Sequence, residues 1–265
     1  AGLVVATGRL FRGVAKLSLH VAFAVFAACL AWPNQIAALA LAVVAQALGP
    51  NLCQEVACVG GCTTALLLTD EFSREEVRYT DDVDLVIHLT GYAQWQKLVD
   101  QLQQKGFKQS QQDDVICRLR LGELKVDFMP EDAETADLLG CNNRWFKDGL
   151  ANAQWHTLPS GCRIRLFTPP YFLGSKLEAY AGRGAQNPLG SQDLEDILNL
   201  VNGREELLQE VDAAAPELRT YLADKLTALL SNNDFGYLVQ DAARGDQERE
   251  QIIWQRLRHI TQVTA

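Results

Sequence analysis

The hydrophobic periodicity changes at Thr168-Pro169-Pro170, and that change limits the fold more than any other feature of the chain. Before it stand short apolar runs with strand spacing, bounded by glycine and proline. "EVACVGG" (55–61), Asp82 to His88, "DVICRLRL" (114–121), "LKVDFMP" (124–130) and "CRIRLFTPP" (162–170) each read as a strand. The third and fourth are joined across Gly122-Glu123, as in a hairpin. Helices are expected at 34–49, at 62–72 after Gly60-Gly61, and at 92–105, the last stopped by Gly106. After Pro170 every segment has helical spacing: 171–183, 191–202, 204–214, 216–232 and 248–260. The expected class is α+β, a mixed β-sheet flanked by helices and followed by a helical C-terminal portion. The expected divisions are an apolar extension over 1–33, an α+β core over 34–168 and the helical portion over 169–265.

Composition narrows the functional classes. The 265 residues are 48% hydrophobic and 22% charged, a globular balance for one large or two modest domains. A net charge of −9 argues against a broad basic face for duplex nucleic acid and leaves room for a local basic cleft. Seven cysteines without a C-x-x-C pair argue against zinc ribbons and disulfide scaffolds, and read as buried thiols in a reducing compartment. His20, His88, His156 and His259 show no ligand spacing. The run "LSLHVAFAVFAACLAW" (17–32) comes after Arg9, Arg12 and Lys16. It admits three readings: a docked helix or extension outside the domain, a secretory signal or membrane anchor, or an interaction helix. It is short for a membrane span.

The chemistry concentrates in "RYTDDVDLVIHL" (78–89). Side chains alternate along a strand, so Asp82 and Asp84 share a face while Asp81 points away. Like charges that close need a cation between them, and a hard divalent ion such as Mg²⁺ or Mn²⁺ suits carboxylate oxygens. Asp127 is a third carboxylate within an apolar strand, where an unpaired charge is costly. An ion pair with Lys125 or Arg120 is the structural alternative for it. Gly60-Gly61, between a strand and a helix, lets phosphate approach the backbone, with Thr63 and Thr64 as added hydroxyl donors.

"VGGCTTALLL", "RYTDDVDLVI" and "LKVDFMP" together resemble the nucleotidyltransferase fold of polymerase-β-like enzymes: a Gly-Gly turn, D-h-D-h, then a lone strand aspartate. Arg78, Thr80, Asp82 and Asp84 form an R-x-T-x-D-h-D pattern, which resembles the AbiEii-type nucleotidyltransferase toxins. "GSKLEAYAGR" and "SQDLEDI" are similar to that family's K-L-x-A-x-x-x-R and D-h-x-D-h segments. The resemblance spans roughly residues 36 to 205. It implies a nucleotidyltransferase-type sheet, with Asp82, Asp84 and Asp127 as catalytic metal ligands. Gly60, Gly61, Thr63, Lys176 and Arg183 would hold the nucleotide, and Arg78, Thr80, Asp193 and Asp196 would support them. Cys62 departs from the pattern, standing where many members carry a small hydroxyl residue.

The resemblance implies an Mg²⁺-dependent enzyme. It would move a nucleoside monophosphate from a nucleoside triphosphate to an acceptor hydroxyl on RNA, protein or a small molecule, and release pyrophosphate. An antitoxin protein is a possible partner, a membrane is not expected, and the nucleotide requirement favours the cytoplasm. The alternative is a non-catalytic nucleotide-binding or toxin–antitoxin module. Plainer roles stand beside these. Lys176 can be a solvated helix lysine, Asp193 a companion of the Ser191 cap, and Arg183 a partner of Glu178 or Asp196. The loop "NNRWFKDG" (142–149) reads either as acceptor-recognising or as ordinary surface.

Overall fold

The computed structural model describes residues 35–75, 77–78, 80, 82–184 and 187–262. The apolar run at 17–32, the expected extension over 1–33 and the expected orientation of Asp81 lie outside the described residues. Along the chain, α1 (Gln35–Glu55) leads into β1 (Val56–Val59), a 3₁₀ turn (Gly61–Thr63), α2 (Thr64–Leu67) and α3 (Glu71–Glu75). Next come β2 (Asp82–Ile87), α4 (Tyr92–Gln104), β3 (Arg118–Leu121) and β4 (Leu124–Pro130). After these stand α5 (Ala133–Leu139), α6 (Phe146–Ala151), β5 (Gln154–Thr157) and β6 (Arg163–Leu166). The remaining helices are α7 (Pro169–Ala179), α8 (Gln192–Gly203), α9 (Leu207–Asp212), α10 (Pro216–Leu230), α11 (Asn233–Ala243) and α12 (Gln247–Gln262). The class is therefore α+β.

The chain divides into two compact units. Among the described residues, one holds 35–63 and 78–167; the other holds 64–77 and 168–262. The helical unit thus includes a segment from the middle of the first half.

The first unit is built on one mixed sheet in the order β3-β4-β2-β1-β6-β5. β2 runs parallel to β4, and β1 parallel to β6; the other neighbours are antiparallel. Val83, Leu85 and Ile87 of β2 and Val126 and Phe128 of β4 are buried, as are Leu119 of β3 and Leu124 at the start of β4. Alternation puts these on one face and leaves Asp82, Asp84, Lys125, Asp127, Arg118 and Arg120 on the other. α4 buries Trp95, Leu98, Val99 and Leu102, a stripe at helical spacing. α1 is apolar nearly all round and bends at Gly49 (φ 76°) before Pro50. By length and composition alone it could cross a bilayer, and 67% of its most apolar window is buried within the chain.

Four elements go beyond the sequence expectations: α5, α6, β5 and α11. α5 carries its own local signals. The Asp132 carboxylate accepts from the Thr135 amide at 3.0 Å at the start, and Gly140 takes a left-handed conformation at the end. The stretch 142–149 is not a simple loop, for Phe146–Ala151 is helical and Trp145 and Phe146 are buried. Gly149 permits close packing there, since a Cβ would lie 2.2 Å from the Phe167 ring.

The single helix expected over 62–72 is broken into the 3₁₀ turn, α2 and α3. Between α2 and α3 the amides of Thr69 and Asp70 both donate to the Gly203 carbonyl at 2.9 Å. Among the described cysteines, Cys53, Cys58, Cys62 and Cys117 are buried thiols, while Cys141 and Cys162 are partly exposed. Burial pushes the Cys62 thiol well up, with Asp84 adding to the effect.

Candidate functional site

The parallel register of β2 and β4 sets Asp84 directly beside Asp127, and Asp82 beside Lys125. The antiparallel register of β3 and β4 continues each row, with Arg118 opposite Asp127 and Arg120 opposite Lys125. Cross-strand partners share a face. The open face thus carries two short rows: Asp84-Asp127-Arg118 and Asp82-Lys125-Arg120. Three carboxylates and three cations are spread across three strands.

Each group has a defined setting. The Thr80 hydroxyl donates to the Asp82 carboxylate and orients it. Asp84 folds over Gly60, where a Cβ would lie 1.9 Å from its Oδ2, and Gly60 itself has φ 84°. Only glycine satisfies both the clearance and the left-handed backbone. Asp127 is 8% exposed and does not face its carboxylate neighbours alone. Arg118 donates to both of its oxygens, Nε to Oδ1 and Nη2 to Oδ2, each at 2.7 Å. That bidentate contact with Asp127 pushes the Arg118 guanidinium pKa up against the opposing effect of burial. The two expected structural partners of Asp127 lie on the same face. Arg120 pairs with Asp113 at 2.7 and 2.5 Å, and Lys125 lies across from Asp82 and Arg120. Arg118 is a member of the face that the sequence motifs do not single out.

The glycine turn differs in part from expectation. The Thr63 hydroxyl, expected as an added donor to phosphate, donates to the Gly60 carbonyl at 2.9 Å, and Thr63 is buried. Cys62 also turns inward, its Sγ 3.6 Å from the Val59 carbonyl oxygen. Gly60-Gly61 leads into a 3₁₀ turn and a four-residue helix, too short for a sizeable macrodipole. Anion affinity at this turn would rest on backbone N–H groups rather than on a helix field or side-chain hydroxyls. Arg78 lies half-buried in the segment before β2.

Among the described residues no three His, Cys, Asp or Glu side chains are gathered closely enough to hold a metal ion. The donor chemistry still suits a hard divalent cation on Asp82 and Asp84, which share a strand face two residues apart. Mg²⁺ commonly takes one or two carboxylates and completes its shell with water and phosphate oxygens. Asp127 would join only on leaving Arg118.

The remaining candidates meet in the helical unit. The Lys176 ammonium donates to Asp196 at 2.6 Å and to Asp193 at 3.3 Å, and sits 5.6 Å from the centre of the Phe172 ring. Asp196, fully buried, also accepts from the Thr64 hydroxyl at 3.2 Å. Arg183, in a π-helical turn after α7, grips Asp193 through Nε at 3.0 Å and Nη2 at 2.9 Å. Burial alone would raise the Asp193 carboxyl, but Arg183 and Lys176 more than offset it and hold the group below its usual range. Asp193 is thus a partner of Arg183, and Lys176 is a buried rather than a solvated lysine. Glu178 instead accepts from the Tyr221 hydroxyl at 2.5 Å. Ser191 caps α8.

No family model matches the chain, and no curated protein matches it at a significant level.

Proposed function

We propose that the chain is an Mg²⁺-dependent nucleotidyltransferase with a nucleotidyltransferase-type sheet. It would transfer a nucleoside monophosphate from a nucleoside triphosphate to an acceptor hydroxyl on RNA, protein or a small molecule. The observation that carries the reading is the Asp84-Asp127 pairing across parallel strands, with Asp82 on the same face and Gly60 cleared beneath the Asp84 carboxylate. The sequence patterns around Gly60-Gly61, Asp82-x-Asp84 and Asp127 support it independently.

In the proposed reaction the acceptor oxygen forms a bond to the α-phosphorus. The bond from that phosphorus to the oxygen bridging to the β-phosphorus breaks, and pyrophosphate leaves. A bound Mg²⁺ would neutralise phosphate charge and favour the attacking oxygen. Asp82, oriented by Thr80, and Asp84, oriented against Gly60, would hold that ion. Asp127 would complete its ligation or take the hydroxyl proton once released by Arg118. In such a site positioning and charge stabilisation do most of the work.

The test is incubation with Mg²⁺, total RNA or protein acceptors, and a nucleoside triphosphate labelled on either the α- or the γ-phosphate. The expected result is transfer of α-label and not γ-label, reduced more than about 100-fold in Asp84→Asn. Transfer that survives Asp84→Asn would remove the proposed site. A second reading is a binding module without turnover. The Arg118–Asp127 ion pair favours it, because a carboxylate held at both oxygens cannot serve chemistry while so held. Nucleotide binding without label transfer would select that reading.

A further inference from the structure

The guanidinium of Arg118 stands where a metal-binding row of carboxylates would be expected to meet an ion. Its strand neighbour is Asp127, the neighbour of Asp127 is Asp84, and all three share one face. The contact to Asp127 is two-pronged at 2.7 Å on each arm, and both side chains are largely shielded, at 18% and 11% exposed. Such a pair is a strong charge-assisted contact. It also satisfies the third carboxylate of the face without any ligand. The second row differs, because Arg120 pairs with Asp113, a carboxylate outside the row.

Resting on the nucleotidyltransferase reading above, we infer that Arg118 is an exchangeable cation. It holds Asp127 while the site is empty, and moves to phosphate oxygens of the nucleoside triphosphate when nucleotide and divalent ion enter. Guanidinium geometry permits the exchange, because one planar fork fits a carboxylate and a phosphate equally well. Charge favours it too: a divalent ion held by Asp82 and Asp84 would repel the nearby guanidinium, and the incoming polyphosphate would attract it. Arg118 would thus act twice, first neutralising Asp127 without metal and then helping to seat the substrate. Lysine would supply the charge without the fork.

The two roles have opposite signs in two binding measurements on the full chain. Mn²⁺ alone is titrated by electron paramagnetic resonance. A non-hydrolysable triphosphate, with carbon in place of the oxygen between the α- and β-phosphorus atoms, is titrated by calorimetry in saturating Mn²⁺. In Arg118→Gln, Mn²⁺ affinity rises about tenfold because the competing cation is gone, whereas analogue affinity falls about tenfold. Arg118→Lys shows both changes with the same signs and smaller size, and keeps the test open if the glutamine variant does not fold. Circular-dichroism melts verify that each variant is folded. An ion pair that only stabilises the sheet would weaken both ligands together, and that result overturns the inference. Mn²⁺ binding that is sensitive to Asp84→Asn but indifferent to position 118 overturns it while leaving the nucleotidyltransferase reading standing. Absence of Asp84-dependent Mn²⁺ binding in the wild-type chain overturns both.

Discussion

In the β-rich unit, Asp127 meets Arg118 on a face that also presents the half-buried Asp82 and Asp84; in the helical unit, Asp196 meets Lys176 where solvent is excluded. The ingredients are the same and the consequences differ. A sealed pair has offset its desolvation only through mutual contact, so removing one partner strands a charge. A pair at a partly open face can trade its partner for a ligand, because water and incoming oxygens share the cost. The sealed cluster holds helices together; the half-buried face is the one proposed to bind. Lys176 has a structural duty to Asp193 and Asp196.

The strongest way to break this contrast is Asp196→Ala, which removes the 2.6 Å partner of the Lys176 ammonium and the acceptor of the Thr64 hydroxyl. The expected loss is about 3–5 kcal/mol in urea unfolding monitored by far-ultraviolet circular dichroism. A loss below about 1 kcal/mol would show that the sealed cluster is not structural. Gly60→Ala probes the open face. A Cβ there collides with Asp84 and forces a left-handed alanine, so about 1–3 kcal/mol of stability is expected to go. Mn²⁺ affinity should fall with it; unchanged affinity would mean that the Asp84 position is irrelevant to binding.

A third test uses pH. Burial would raise the Asp70 carboxyl, but hydrogen bonds from Arg249 and Ser73 outweigh it and hold the group at about 2, below its ordinary 3.8. A carboxyl lowered in the folded state adds stability above about pH 4, and that stability drains away as pH falls from about 4 to 2. Asp70→Asn should remove about 1–2 kcal/mol at pH 7 and flatten that part of the acid profile. An unchanged profile would show that the Asp70–Arg249 contact is not formed in solution. The smallest effect is expected at the sheet edge. Trp155 on β5 is 45% exposed beneath Arg163 at 4.8 Å, so Trp155→Ala should cost about 0.5 kcal/mol in the same urea unfolding measurement.

Local rules make much of this legible. Period-2 runs mark β2, β3, β4 and β6, and the Gly122-Glu123 turn fixes a register in which 121 faces 124, 120 faces 125 and 118 faces 127. Arg118 becomes visible when that register is carried two residues further than Arg120. β5 escapes because an exposed edge strand lacks apolar alternation, and α5 because seven residues show its caps more plainly than its period. The membership of Thr64–Val77 in the helical unit is not legible at all. Its anchors are distant in sequence: Arg204 donates to the Leu67 carbonyl at 2.6 Å, and Arg249 to Asp70 at 3.0 Å. No local pattern encodes partners so far along the chain.

The most direct measurement is anomalous diffraction from crystals soaked with Mn²⁺ and the non-hydrolysable triphosphate. The expected result is a manganese peak within bonding distance of Asp82 and Asp84, with Arg118 turned from Asp127 toward phosphate. Bound nucleotide with no manganese between those two carboxylates would contradict the proposed site.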